Sequence, residues 1–100
     1  MGTYMPFIKD EIPVIKTFKI DDIEYQYQIE YNSTADFYTM TVKDENETII
    51  YTTKLVMEGD ALHVAHPILN MSSKIIPRNT KKVIQYLNAE TFDDVRLYVE

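Results

Sequence analysis

The sequence predicts an all-β protein, a small antiparallel β-sandwich or barrel of about six to seven strands with at most one short helix. Three observations carry this. Ile23, Tyr25, Tyr27, Ile29 and Tyr31 occupy every second position, with Glu24, Gln26, Gln28 and Glu30 in the gaps, the period of a strand packed on one face and wet on the other. Acidic or Asn-rich turn clusters bracket this run and the one after it, Asp21-Asp22, Asn32 to Asp36, and Asp44 to Glu47, at the spacing of successive hairpins. The chain has only two glycines and no cysteine, so phosphate-cradling loops, disulfide frameworks and thiolate metal sites have no raw material.

In chain order, residues 1–13 read as an extended N-terminal arm and 14–100 as a single β domain. Pro6 and Pro13 remove backbone donors and bias the residues before them toward extended shapes. Tyr4, Met5, Phe7, Ile8 and Ile12 are too apolar for a solvated tail, so the arm is expected along the domain or on a neighbouring subunit. The plainer alternative is a disordered end, or an expression remnant at Met1 to Thr3. Val14 to Ile20 is the first strand, and Asp21-Asp22 turns it into the second, Ile23 to Tyr31, because Asp tolerates positive φ better than most residues. Phe37 to Lys43 is the third strand, with Tyr38, Met40 and Val42 on one face. Thr48 to Met57 is the fourth; both of its faces are partly apolar, which predicts a central or doubly covered strand. Gly59 opens an irregular stretch to Met71. Lys74 to Ile76 reads as a short strand stopped by Pro77. Residues 80–90 are ambiguous: Val83, Ile84 and Leu87 have helical spacing with Thr80 as a cap, yet Val83 to Leu87 is also an acceptable strand, and strand or irregular structure is favoured. Thr91 to Asp94 is one tight turn capped by Thr91. Val95 to Val99 closes the fold, with Val95, Leu97 and Val99 inward and Arg96 and Tyr98 outward.

One hundred residues form one domain with one modest core. The start is not expected to be a signal peptide, and the apolar runs are far shorter than the ~20 residues that cross a bilayer. Charge is uneven. From Asp21 to Asp60 ten acids oppose Lys43 and Lys54, a net of −8, whereas Lys74, Arg78, Lys81 and Lys82 give the stretch 74–82 a net of +4. Opposite poles on one domain suit self-assembly or docking, although two solvated faces would produce the same count. Nucleic acid is not an expected partner: the overall charge is −6, and Tyr86 is the one aromatic near the basic stretch.

Candidate chemistry is thin. His63 and His66 could share a metal with a carboxylate such as Asp60, but a structural zinc site takes four ligands, so packing or surface histidines are expected. Ser33, Ser72 and Ser73 sit in no Gly-x-Ser-x-Gly elbow. Asp44-Glu45-Asn46-Glu47 lacks the spacing and glycine of a calcium loop and reads as a solvated tip. No pair of acids is marked out for glycoside hydrolysis. The glycosylation-type tripeptides at Asn32, Asn46 and Asn70 are expected to be chance matches. The stripe Tyr25, Tyr27, Tyr31 is read as core rather than as a binding platform, since Ile23 and Ile29 share its face. Tyr38, Tyr51 and Tyr98 are expected outside, at a subunit interface, where tyrosine is enriched.

The order of elements also resembles a known family. The runs Thr17-Phe18-Lys19-Ile20, Ile23 to Asn32 ending in Tyr-Asn, and Asp36-Phe37-Tyr38-Thr39-Met40-Thr41-Val42, the step Leu55-Val56-Met57-Glu58-Gly59, and Thr91-Phe92-Asp93-Asp94 before Arg96-Leu97-Tyr98 are similar to the small baseplate plug family of contractile-tailed phages, first associated with cyanophages. The resemblance spans about Ile15 to Val99 and departs from the family's pattern at the first hairpin, where Asp21-Asp22 stand in place of glycine. It implies a non-enzymatic virion protein without cofactor or metal, made in the bacterial host cytoplasm and built into the central, hub-proximal baseplate. Expected partners are copies of itself in a ring, trimer or hexamer, and the tail tube, hub and spike proteins, with no membrane contact of its own. The candidate assembly surface comprises Tyr4, Phe7, Ile8, Tyr38, Tyr51, Tyr98, Lys74, Arg78, Lys81 and Lys82. A bacterial β-sandwich module binding carbohydrate or protein is the alternative.

Overall fold

The computed structural model describes residues 3–63, 66–69, 72–79 and 81–100. Expectations placed on Met1-Gly2, on Thr80 as a cap, on the side chain of His66 and on the tripeptide beginning at Asn70 fall outside the described residues.

Among the described residues, seven strands form two antiparallel sheets, with one four-residue helix: β1 (Thr3–Met5), β2 (Val14–Ile20), β3 (Ile23–Asn32), β4 (Phe37–Lys43), β5 (Ile49–Lys54), α1 (His66–Leu69), β6 (Ile75–Arg78) and β7 (Arg96–Val99). The larger sheet is a meander in the order β2-β3-β4-β5, and the smaller has the order β1-β7-β6. The sheets do not close into a barrel. They share one core, to which the larger contributes Ile20, Tyr27, Ile29, Tyr38, Met40 and Val42 and the smaller Met5, Ile75 and Leu97.

Alternation in the sequence sets the register of the larger sheet. Val14, Ile29, Met40 and Thr53 stand in one cross-strand row, and Lys16, Tyr27, Val42 and Tyr51 in the next, so each inward side chain faces another. The β2–β3 turn holds Asp21 at φ 55 and Asp22 at φ 63, the two left-handed residues of a type I′ hairpin, whose twist matches that of its strands. At the β4–β5 tip, Asp44 Oδ1 accepts the backbone N–H groups of Asn46 and Thr48, both at 2.9 Å, and Glu47 takes φ 62.

Three expectations, two about strands and one about a turn, are corrected. The fourth strand is shorter than its apolar run and lies at the edge of its sheet, not in the middle, with Ile49 62% exposed; a register shift opposite Val42–Lys43 spreads apolar residues over both faces and imitates double coverage. Pro77 does not stop the sixth strand but sits inside it, paired in register with Leu97. It is tolerated because β6 is an edge strand. Thr91 makes no side-chain bond to the 3-10 turn Phe92–Asp94. Its hydroxyl instead donates to the Tyr86 carbonyl (2.8 Å) and accepts from the Asn88 N–H (3.0 Å).

Side-chain carboxylates tie the irregular segments to the sheets. Asp60 Oδ1 accepts N–H groups from Leu62 (2.9 Å) and Ile75 (3.3 Å), a structural use for the group considered as a metal ligand. Residues 81–87 form no helix or strand. The segment is fastened at its start by Asn79 Oδ1, which accepts from the N–H groups of Lys81 (2.7 Å) and Lys82 (2.8 Å), and at its end by buried Leu87.

Candidate assembly surface

The short N-terminal strand places the first candidate residues. β1 pairs with β7 so that Tyr4 stands beside Tyr98 and Met5 beside Leu97. Met5 points into the core at 3% exposure, which turns Tyr4 outward. Its ring meets Tyr98 edge-on at 6.1 Å, and the Arg96 guanidinium lies 4.6 Å from its centroid, within the range of a favourable cation–π contact. Arg96 in turn faces Arg78 across the ladder. Tyr4, Tyr98, Arg96 and Arg78 thus share the outer face of the smaller sheet. The sequence marks Arg96 only as outward-facing; its spacing two residues before Tyr98 is the signal for its place in this group.

Arg78 is already engaged: its guanidinium meets Glu58 at 3.0 Å and Glu100 at 2.6 Å. Lys82 pairs with Asp94 at 3.1 Å. The basic stretch is therefore partly neutralised within the chain. Lys74 and Lys81 are exposed, and Lys74 exchanges two backbone hydrogen bonds with Glu100, of 2.7 and 2.9 Å. A cleft of about 320 Å³ runs between Arg78, Asn79 and Lys81 on one side and Asp93, Asp94, Arg96 and Tyr98 on the other, a wall of mixed charge.

The remaining candidates separate. Ile8 is exposed, whereas Phe7 packs on the core through an edge-on contact with Phe18 at 5.6 Å. Tyr51 is half-buried against the core. Tyr38 is a correction: expected at an interface, it is 2% exposed, wedged between Tyr31 (4.9 Å) and Phe92 (4.4 Å). It has the same inward parity as Met40 and Val42, and that parity decides its place. Of the aromatic stripe, Tyr27 is fully buried and Tyr31, at the strand's end, is partly exposed.

Three tyrosines have raised pKa values, Tyr27 and Tyr38 chiefly through burial and Tyr31 through a hydrogen bond. Burial pushes the Tyr27 phenol up, and its hydroxyl is buried with no hydrogen-bond partner among the described residues. Tyr31 is raised by donating to Asp36 Oδ1 at 2.7 Å. The same bond, and then the Ala89 N–H at 3.0 Å, lowers the pKa of Asp36.

The segment after the basic stretch was ambiguous in the sequence and is prominent on the surface. Val83 is 93% and Tyr86 73% exposed. Gln85 to Asn88 lie against Phe37 and Leu55 to Met57, forming a groove of about 270 Å³. Phe37 opens β4 and Leu55 follows β5, so the segment sits at one end of the β4–β5 hairpin and the acidic tip Asp44–Glu47 at the other.

The fold and this surface define a small β-sandwich protein whose distinctive features are outward-facing and suited to contact with other proteins. The family whose description reads Cyanophage baseplate Pam3 plug gp18 matches residues 3–100, and the chain belongs to that family. It is a structural component of a phage virion, located in the tail baseplate, where it contacts other baseplate components. No curated protein and no solved structure matches the chain.

Proposed function

We propose that the protein is a central, hub-proximal plug of a contractile-tail baseplate, without enzymatic activity, that assembles as a ring of identical copies against tail tube, hub and spike proteins. The observation that carries this reading is the separation of an acidic hairpin tip, Asp44 to Glu47, from the segment Gln85 to Asn88 at the other end of β4–β5, a segment that Lys81 and Lys82 precede in the sequence. Complementary patches at opposite ends favour head-to-tail contact, which closes into a ring when the rotation between copies allows it. The outer group of Tyr4, Arg96 and Tyr98 supplies a second, mixed surface for a different neighbour, since Tyr and Arg are enriched at interfaces. The 1–13 arm, fastened by β1 and leaving Ile8 exposed, supports a contact beside it.

Native mass spectrometry of the purified chain tests this. A discrete oligomer is expected, and reversing Lys81 and Lys82 to Glu should dissociate it while leaving the monomer folded. An oligomer that survives the reversal would remove the charge-directed ring, and tight glycan binding by a monomer would favour a carbohydrate module instead.

A further inference from the structure

The segment Val83-Ile84-Gln85-Tyr86-Leu87 has the composition of a strand and belongs to no sheet. Its ends are fixed, by Asn79 before it and by Asn88 and Thr91 after it. Among the described residues, none of its backbone N–H groups has a hydrogen-bond acceptor. An anchored stretch with unpaired donors, Val83 almost wholly in solvent and a neighbouring Lys81-Lys82 is preorganised to add to a sheet edge.

The fold offers four edges, and three are obstructed. β1 has three residues and runs into Pro6. β6 contains Pro77, and its carbonyls at Ile75 and Pro77 already accept from Ala61 (2.8 Å) and Glu58 (2.9 Å). β2 carries Lys16 and Lys19, and the Lys16 ammonium is bonded to the Pro6 carbonyl at 3.0 Å, beside the arm. Prolines, lysines and covering segments are the ordinary means of blocking an edge. β5 has none of them from Ile49 to Thr53, and among the described residues only β4 pairs with it.

We infer that residues 83–87 of one copy add as a strand to the β5 edge of a second copy. Charge fixes the direction. Parallel addition sets Lys81, and Lys82 in exchange for its own Asp94, beside the partner copy's Glu45 and Glu47 and runs Val83 to Leu87 along Ile49 to Thr53; antiparallel addition would bring the lysines to Lys54. The contact is heterologous, because segment and edge are different surfaces, and so each copy keeps one of each for the next. This rests on the ring reading and specifies its joint.

Hydrogen exchange and native mass spectrometry test it together. In assembled wild type the amides of 83–87 should exchange about 100-fold or more slowly than in a monomeric variant, the behaviour of paired strands. Ile84→Pro, which removes a donor from the segment, and the tip variant Glu45→Lys/Glu47→Lys should each be monomeric. An equimolar mixture of the two should give dimers and nothing larger, because one intact segment meets one intact edge. Wild type that assembles while 83–87 exchange at the monomer rate, or Ile84→Pro that assembles like wild type, overturns the strand addition and leaves the ring standing. A monomeric wild type overturns both; protection of 83–87 appearing only on addition of another baseplate protein would identify that protein's edge as the occupant instead.

Discussion

Asp21 and Ser73, fifty-two positions apart, are joined by two hydrogen bonds: Asp21 Oδ2 accepts the Ser73 N–H at 2.9 Å and Oδ1 the Ser73 hydroxyl at 2.6 Å. The Ser72 N–H adds a third bond at 3.0 Å. The tip of the first hairpin is thereby fastened to the chain entering β6, so the residue that turns β2 into β3 also ties the two sheets together. Asp21→Asn keeps a residue tolerant of positive φ but weakens the acceptor, and Asp21→Ala loses both. Hydrogen bonds to charged groups contribute about 1.5–3 kcal/mol each where desolvated and less where exposed. Urea unfolding should place the Ala variant about 1–2 kcal/mol below wild type, with Asn between them.

Tyr27 gains from burying its ring and loses from burying an unpartnered hydroxyl. An unsatisfied buried polar group costs about 1–3 kcal/mol. Tyr27→Phe should therefore raise stability, by about 1 kcal/mol, without altering assembly. The raised phenol pKa adds a pH signature. The neutral phenol is favoured in the fold, so stability is intact below the ordinary tyrosine pKa of ~10 and falls as pH rises above it. Alkaline unfolding should come at higher pH in the Phe variant.

Asp36 links the start of β4 to Tyr31 and to the turn at Ala89. Its pKa is lowered, first by the Tyr31 hydroxyl and then by the Ala89 N–H. The folded state thus binds this proton less readily than the unfolded state, and the stabilisation is present above the unfolded value of ~3.9 and lost as pH falls through the folded one. Thermal melts of wild type should weaken across this acid range. Asp36→Asn should melt lower at pH 7 and show a flatter acid dependence, and identical acid profiles would contradict the assignment.

Met5 is the core contribution of the N-terminal strand. Met5→Ala should cost about 2–4 kcal/mol, the ordinary range for such a truncation. Tyr4→Ala, on the outer face, should cost under about 1 kcal/mol, since it removes a partly exposed cation–π and aromatic contact. Comparing their unfolding midpoints separates an arm that is integral to the fold from one that only decorates it.

The strands Val14–Ile20, Ile23–Asn32 and Phe37–Lys43 were legible because alternation and turn chemistry are local signals, and adjacent hairpin strands need no other information. Position within a sheet is not local. The apolar faces of β5 suggested a central strand, and only the strand order reveals an edge with Ile49 in solvent. Pro77 reads as a stop until β6 is known to be an edge. Tyr38 could have been placed inside from its parity with Met40 and Val42, and its expected interface role came from residue type instead. Val83–Leu87 has strand composition but, among the described residues, no strand partner, so composition alone could not choose between its states. The grouping of Tyr4, Arg96 and Tyr98 depends on pairing between opposite ends of the sequence, which composition does not encode.

β7, which follows the other described strands in chain order, is the middle strand of the smaller sheet and separates β1 from β6. The meander β2 to β5 can form from neighbouring contacts while synthesis continues, but the smaller sheet must wait for Arg96–Val99 to emerge from the ribosome. Nascent chains, and products cut short before Arg96, therefore cannot complete this sheet or bring Tyr98 and Arg96 beside Tyr4.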